Sequence, residues 1–141
     1  MQLQLVTLSG SKFDDDVYEI VIPTVDGEIG VFPGHEPLVT LAKTGIIQVR
    51  RKRTDPFDKL EYFAVSGGIV EIGGEHVKVL VDEADHGEDI VEAETQAALE
   101  RALKMRDEAK TQVELEKAHQ LVDRHMVRLK VADLHRRHQK H

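Results

Sequence analysis

The hydrophobic positions change period part-way along the chain. From Met1 to about Val81 they alternate, as in Leu3 and Leu5 against Gln2 and Gln4, or Tyr18, Ile20 and Ile22 against Val17, Glu19 and Val21. A period of two sends successive side chains to opposite faces of a strand, so this half predicts β-structure. Turn-forming residues punctuate it at Ser9-Gly10-Ser11, Asp26-Gly27, Pro33-Gly34, Thr44-Gly45, Asp55-Pro56, Gly67-Gly68 and Gly73-Gly74. That spacing fits a compact sandwich or barrel of short strands. The clearest hairpin runs from Leu60 to Val81. Its tip is predicted at Gly73-Gly74-Glu75, with the glycine pairs supplying positive φ.

Beyond Gly87 the pattern is different. From Asp89 to Gln139 there is no glycine and no proline, and alanine, leucine, glutamate and lysine dominate, a composition that favours helix. Asp89 with Glu92, and Thr111 with Glu114, read as capping boxes and predict helices over about 90–109 and 112–137. Nothing in the composition marks the break near Lys110, so one long helix stays open as the alternative. Ala93, Ala97, Leu99, Ala102 and Ala109 on the first helix, and Ala118, Leu121, Val122, Leu129 and Ala132 on the second, predict close pairing through small side chains. The expected fold class is α+β in two parts: a β-sandwich of short strands over 1–87, then over 88–141 an antiparallel two-helix hairpin that can also extend. Such a hairpin buries little apolar area, so its hold on the sandwich should be weak.

Composition narrows the function classes. The chain is 40% hydrophobic and 32% charged, within the soluble globular range. Cysteine is absent, which excludes disulfides, thiolate metal sites and a cysteine nucleophile. No apolar run approaches the roughly 20 residues of a membrane helix, and the first residues lack a charged-then-apolar signal pattern, so a soluble or peripheral protein is expected. The net charge of -7 argues against general nucleic-acid binding. Arg50-Arg51-Lys52-Arg53, followed by Thr54, Asp55 and Pro56, reads as a solvated hairpin loop, with a nucleic-acid patch as the sharper rival. The charge is unevenly spread: acids crowd Asp82 to Glu94, while Arg124, Arg128, Lys130, Arg136, Arg137 and Lys140 make the C-terminal end basic.

No nucleophile with an adjacent base, no phosphate-cradling glycine loop ahead of a lysine and no spaced carboxylate pair stands out, so a non-catalytic protein is expected. The rival is a small β-barrel metal-binding protein or enzyme using His35 and His76, with Glu36 beside them, although the paired histidines of a cupin are lacking. His135, His138 and His141 recur every third residue. They read as a solvated, frayed tail, against the alternative of a metal or pH sensor.

The stretch Asp26-Gly27-Glu28-Ile29-Gly30-Val31-Phe32-Pro33-Gly34-His35-Glu36-Pro37-Leu38, continued by Val39-Thr40-Leu41 and Gly45, resembles the signature loop and strand of ATP synthase epsilon subunits. Val65-Ser66-Gly67-Gly68-Ile69-Val70-Glu71-Ile72 and Val77-Lys78-Val79-Leu80-Val81-Asp82-Glu83-Ala84 extend the match in order and spacing over essentially the whole chain. The resemblance implies a non-catalytic rotor subunit of a proton-translocating F-type ATP synthase. It would join the gamma subunit to the ring of proteolipid c subunits and bind no cofactor of its own. It implies a peripheral place on an energy-coupling membrane, by default the cytoplasmic face of a bacterial inner membrane, with an organelle equivalent open. Glu28 and His35 match positions that face the rotor ring; His35 reads equally as a turn residue satisfied by nearby backbone. Gly27, Gly30 and Gly34 are expected at sharp turns beside Pro33.

The resemblance also implies an arm with two forms, one folded on the sandwich and one extended along gamma to the alpha/beta catalytic head, where it blocks ATP hydrolysis. Arg124, Arg128, Arg136 and Arg137, with Lys140, are the candidates for meeting an acidic segment of the beta subunit. The plainer reading of this basic end is that it complements its own helix dipole. Some epsilon subunits bind ATP through Ile/Leu-Asp-x-x-Arg-Ala, a register that falls on Ile90 to Thr95 here. Val91 stands for the aspartate and Glu94 for the arginine, so an anion replaces the phosphate-pairing cation and no ATP affinity is expected. An adaptor whose arm forms a coiled coil with another partner is the remaining rival.

Overall fold

The computed structural model describes residues 1–139. Ten strands come first: β1 (Gln2–Thr7), β2 (Gly10–Asp16), β3 (Glu19–Thr24), β4 (Gly27–Val31), β5 (Leu38–Ala42), β6 (Gly45–Arg50), β7 (Glu61–Val65), β8 (Gly68–Ile72), β9 (His76–Val81) and β10 (Ala84–His86). Two helices follow, α1 (Glu92–Glu108) and α2 (Gln112–Gln139), and short 3-10 turns occupy Phe57–Lys59 and Gly87–Asp89. The strands pair along one path, β10-β7-β6-β3-β5-β8-β9-β1-β2, with β4 also on β3. Between β3 and β5 a single pair, Thr24 with Ala42, carries the path across. That corner divides the strands into two sheets, β10-β7-β6-β3-β4 and β5-β8-β9-β1-β2.

The inner faces supply one core. Leu3, Leu5, Val70, Val77 and Val79 come from one sheet, and Ile20, Ile22, Ile47, Val49 and Phe63 from the other. Alternation dictates this: β1 runs parallel to β9 with Leu3 opposite Val77 and Leu5 opposite Val79, and a strand shows every second residue to the same side. Each fully buried aliphatic side chain of this size is worth about 1.5–3 kcal/mol. Even β2, otherwise polar, turns Phe13 inward, edge-on to the Phe63 ring at 5.6 Å.

The hairpin tip falls at Gly73–Glu75 as the sequence predicts, but for another reason. Positive φ belongs to Gly10, Gly27 and Gly34, and to none of Gly67, Gly68, Gly73 and Gly74. Gly68 is required by space, since a Cβ there would lie 1.9 Å from the Leu80 carbonyl oxygen. Gly30, expected at a sharp turn, sits within β4, and the nearest atom to an added Cβ is 3.9 Å away.

The helical part is a hairpin and not one long helix. Ala109 turns extended (φ -63, ψ 131) and ends α1. Thr111 Oγ1 accepts from the Glu114 amide at 3.1 Å, and Glu114 Oε2 accepts from the Lys110 amide at 2.8 Å, so the second capping box forms with its return bond one residue early. The first box does not form. Ile90 is buried and extended (φ -89, ψ 122), which leaves Asp89 in the 3-10 turn and Val91 at the helix entry without a side-chain cap. Arg136, near the end of α2, lies 2.9 Å from Glu92 at the start of α1, so the helices are antiparallel. Thr95, Ala102, Ala118 and Val122 are buried, whereas Ala93 and Ala97, expected on the seam, are exposed.

The hairpin is folded onto the sandwich. Val131 and Ala132 of α2 pack with Leu60, Tyr62, Ala64 and Ile90, with Ile46, Val127 and Leu134 at the margin. The frayed-tail reading of the C-terminal histidines is corrected here. His135 packs its Cβ 2.7 Å from the point where Gly87 would carry one, and the His138 ring lies 4.7 Å from Phe57 and 5.2 Å from Tyr62. Aromatic and backbone surface around β7 holds these two residues in place. Lys140 and His141 lie outside the described residues.

Candidate functional site

The arm covers the outer face of one sheet only. On the other, Leu41 pairs with Ile69, Ile69 with Leu80, and Leu80 with Val6, which makes one apolar row across β5, β8, β9 and β1. Leu41 is 54% exposed, Ile69 45% and Leu80 44%, and Val39 beside them is 71% exposed. A contiguous apolar row on an outer face is a candidate contact for another protein. Sequence reasoning passed over it, although a signal was there. Leu38-Val39, Ile69-Val70 and Val79-Leu80-Val81 are apolar at consecutive positions, which means strands whose two faces both need cover.

The two residues expected at one ring contact are separated. Glu28 opens β4 opposite Pro23 and is exposed beside the exposed Val25. His35 lies beyond the other end of β4, in the loop whose Gly34 amide donates to the Gly74 carbonyl at 2.9 Å. The strand between them rises about 10 Å, so a single small contact does not take both. His35 Nδ1 lies 2.6 Å from its neighbour's Glu36 carbonyl, the arrangement of a turn residue satisfied by backbone. His76 lies over Gly73. Among the described residues no three His, Asp or Glu side chains gather to hold a metal ion.

The arm's arginines are engaged within the chain. Arg124 Nε lies 3.2 Å from Glu83, and Arg128 lies 3.6 Å from Asp85 of β10. Arg136 meets Glu92 and Asp133, and Arg137 Nε reaches Asp133 at 3.0 Å. The first two pairs tie α2 to the sandwich; the others work within the hairpin. All are partly exposed, so each is worth at most about 1 kcal/mol.

The basic run of β6 and its loop divides the same way. Arg50 pairs with Glu19 at 3.0 Å, and Arg51 bridges Asp15 (2.6 Å) and Glu61 while its guanidinium sits 4.8 Å above the Phe13 ring. Arg50 closes β6, while Arg51, Lys52, Arg53 and Thr54 are exposed in the solvated loop the sequence predicts. Glu61 also accepts from His86 Nε2 at 3.2 Å. Burial alone would raise the Glu61 pKa, but the hydrogen bonds from His86 and Arg51 outweigh it and hold it at about 2. The same bond from Glu61 raises the pKa of His86 against the opposing effect of burial.

At the entry to α1, Val91 is exposed and Glu94 lines a groove with Thr95, Ala98, Arg101, His125 and Arg128.

The family profile for the ATP synthase delta/epsilon chain, beta-sandwich domain, matches residues 1–87. An ATP synthase epsilon chain of Chloroflexus aggregans is 34% identical over 138 residues, 96% of this chain and 94% of that one. The chain belongs to the ATP synthase epsilon-chain family. A Staphylococcus carnosus epsilon chain is 40% identical over 103 residues, covering 72% of this chain and 73% of that relative. Among solved structures, a chain of the Euglena gracilis mitochondrial ATP synthase, in an assembly of OSCP, F1 and c-ring, superposes with a TM-score of 0.75 at 24% identity. It matches over 92% of this chain and 79% of its own length, and at that identity the likeness speaks for the fold. Family membership places the chain among the non-catalytic subunits of the synthase, consistent with the absence of any catalytic constellation in the sequence. No helix among the described residues is long and apolar enough to cross a membrane.

Proposed function

We propose that the chain is the rotor subunit that couples gamma to the c-ring of a proton-translocating ATP synthase, and that its helical arm acts as a brake on hydrolysis. The observation that carries the coupling role is the uncovered row Leu41, Ile69, Leu80 and Val6 with Val39 beside it. An exposed apolar face with Glu71 and Lys78 in the adjoining row suits a permanent protein partner, and gamma is the partner the family offers. Glu28, exposed beside Val25 at the β3–β4 turn, is the proposed ring contact; His35, at the far end and already bonded to its own chain, is the weaker candidate. The protein then sits peripherally on an energy-coupling membrane, held there by the complex.

The brake reading rests on the modest attachment of α2, a small apolar cluster and two partly exposed ion pairs. When the arm lifts, Arg124 and Arg128 are freed to meet acidic residues of the catalytic head, with Arg136 and Arg137 beside them. Binding to purified gamma tests the coupling role. Leu41→Asp with Leu80→Asp should abolish it while the thermal unfolding of the chain stays cooperative. Undiminished binding by that variant would overturn the assignment of this face.

A further inference from the structure

His125 lies on α2 directly after Arg124 and one turn before Arg128. Its Nδ1 is shielded from solvent and has no hydrogen-bond partner among the described residues. It lines the groove of about 240 Å³ between the helices, facing Arg101, Thr95 and Ala98 of α1, with Glu94 exposed at the rim. The carboxylates nearest on the sandwich side, Glu83 and Asp85, are already taken by Arg124 and Arg128. A proton on this ring would therefore add a charge among three arginines.

We infer that His125 is a proton-sensitive joint of the arm: the folded hairpin requires its neutral imidazole, and acidification releases α2 from the sandwich. The inference rests on the proposed mobility of the arm. Imidazole is the side chain whose charge changes between about pH 5 and 8, which puts such a joint in the physiological range. Burial lowers the pKa of His125, Arg124, Arg128 and Arg101 lower it further, and Glu83 opposes them. The sign follows from linkage. Above the ordinary imidazole value both forms of the arm are neutral at this site and docking is unaffected. Below it the released arm takes a proton that the docked arm refuses, so docking weakens as the pH falls towards the depressed value.

His86 does not oppose this. Glu61, Glu88 and Asp89, which favour its charged form, all lie ahead of α1 and α2. It faces the His135 ring across the joint at 5.8 Å.

The chain has no cysteine, so donor and acceptor dyes placed at Lys78→Cys and Gln112→Cys of the full-length protein report the distance from sandwich to arm. The docked-to-released ratio should fall as the pH drops below about 6.5, by at most about tenfold per pH unit. In His125→Gln, with His125→Asn as a second form, the ratio should stay flat. Glu83→Gln with Asp85→Asn, which cuts both ion pairs to the sandwich, shows whether the arm opens at all. If that variant opens while the wild type ignores pH, or if wild type and His125→Gln respond alike, the proton joint is overturned and the mobile arm stands. If nothing opens the arm, both fall.

Discussion

Arg124 on α2 lies 3.2 Å from Glu83, at the point where the sandwich ends. One turn further on Arg128 faces Asp85 at 3.6 Å. Two of the arginines proposed to meet the catalytic head thus also hold the arm down, and each can serve one partner at a time. Neutralising the pair with Glu83→Gln and Asp85→Asn should remove up to about 1 kcal/mol per contact, a several-fold shift towards the released arm. Limited trypsin digestion checks this: α2 should be cut faster in the double variant, and faster in the wild type as salt screens the pairs.

Glu61 gives the sandwich an acid limb. With its pKa held at about 2 against an ordinary 4.5, its contribution is present above the ordinary value and is lost as pH falls towards 2. His86, raised by the same bond, contributes below the ordinary imidazole value and loses its share as pH rises through the raised one. The pair therefore stabilises most between the two ordinary values. Glu61→Gln should cost up to about 3 kcal/mol there and flatten the acid limb, as read from urea midpoints across pH.

Gly68 and Gly30 lie in two different stretches that match the family and should behave in opposite ways. Gly68→Ala drives a Cβ into the Leu80 carbonyl and the Val81 backbone, and should cost about 3 kcal/mol or more. Gly30→Ala meets only ordinary contact and should fall within about 0.5 kcal/mol of the wild type. Urea unfolding of the two variants separates space from family habit as the reason for each glycine.

Isothermal titration of the isolated chain with ATP should show no saturation up to about millimolar concentration. Glu94 lines the groove at the start of α1, and the register puts Val91 and Glu94 where ATP-binding relatives carry Asp and Arg. Saturable binding in that range would contradict the reading of the broken motif.

The two-part fold was legible because each half has a single unbroken period, two for the strands and a glycine-free helical composition afterwards. The Thr111 cap was legible because it is local, a hydroxyl three residues from the amide it accepts. Asp89 misled for a tertiary reason: burial of Ile90 beneath α2 draws the entry extended and moves the helix start past the predicted cap. The ion pairs of Arg124 and Arg128, and the seating of His135 and His138, depend on how α2 lies across β7, which no local pattern encodes. The apolar row on β5, β8, β9 and β1 was written in the strands as consecutive apolar residues. It became a surface only once the arm was seen to cover the other sheet.

The most direct test of the rotor-and-brake account is ATP hydrolysis by the assembled complex, carrying either the full chain or a chain ending at Glu88. The sandwich core is separate from the cluster under α2, so the shortened chain keeps the apolar row proposed to bind gamma. Faster hydrolysis with gamma still bound is the predicted result, and an unchanged rate with gamma bound would contradict the brake.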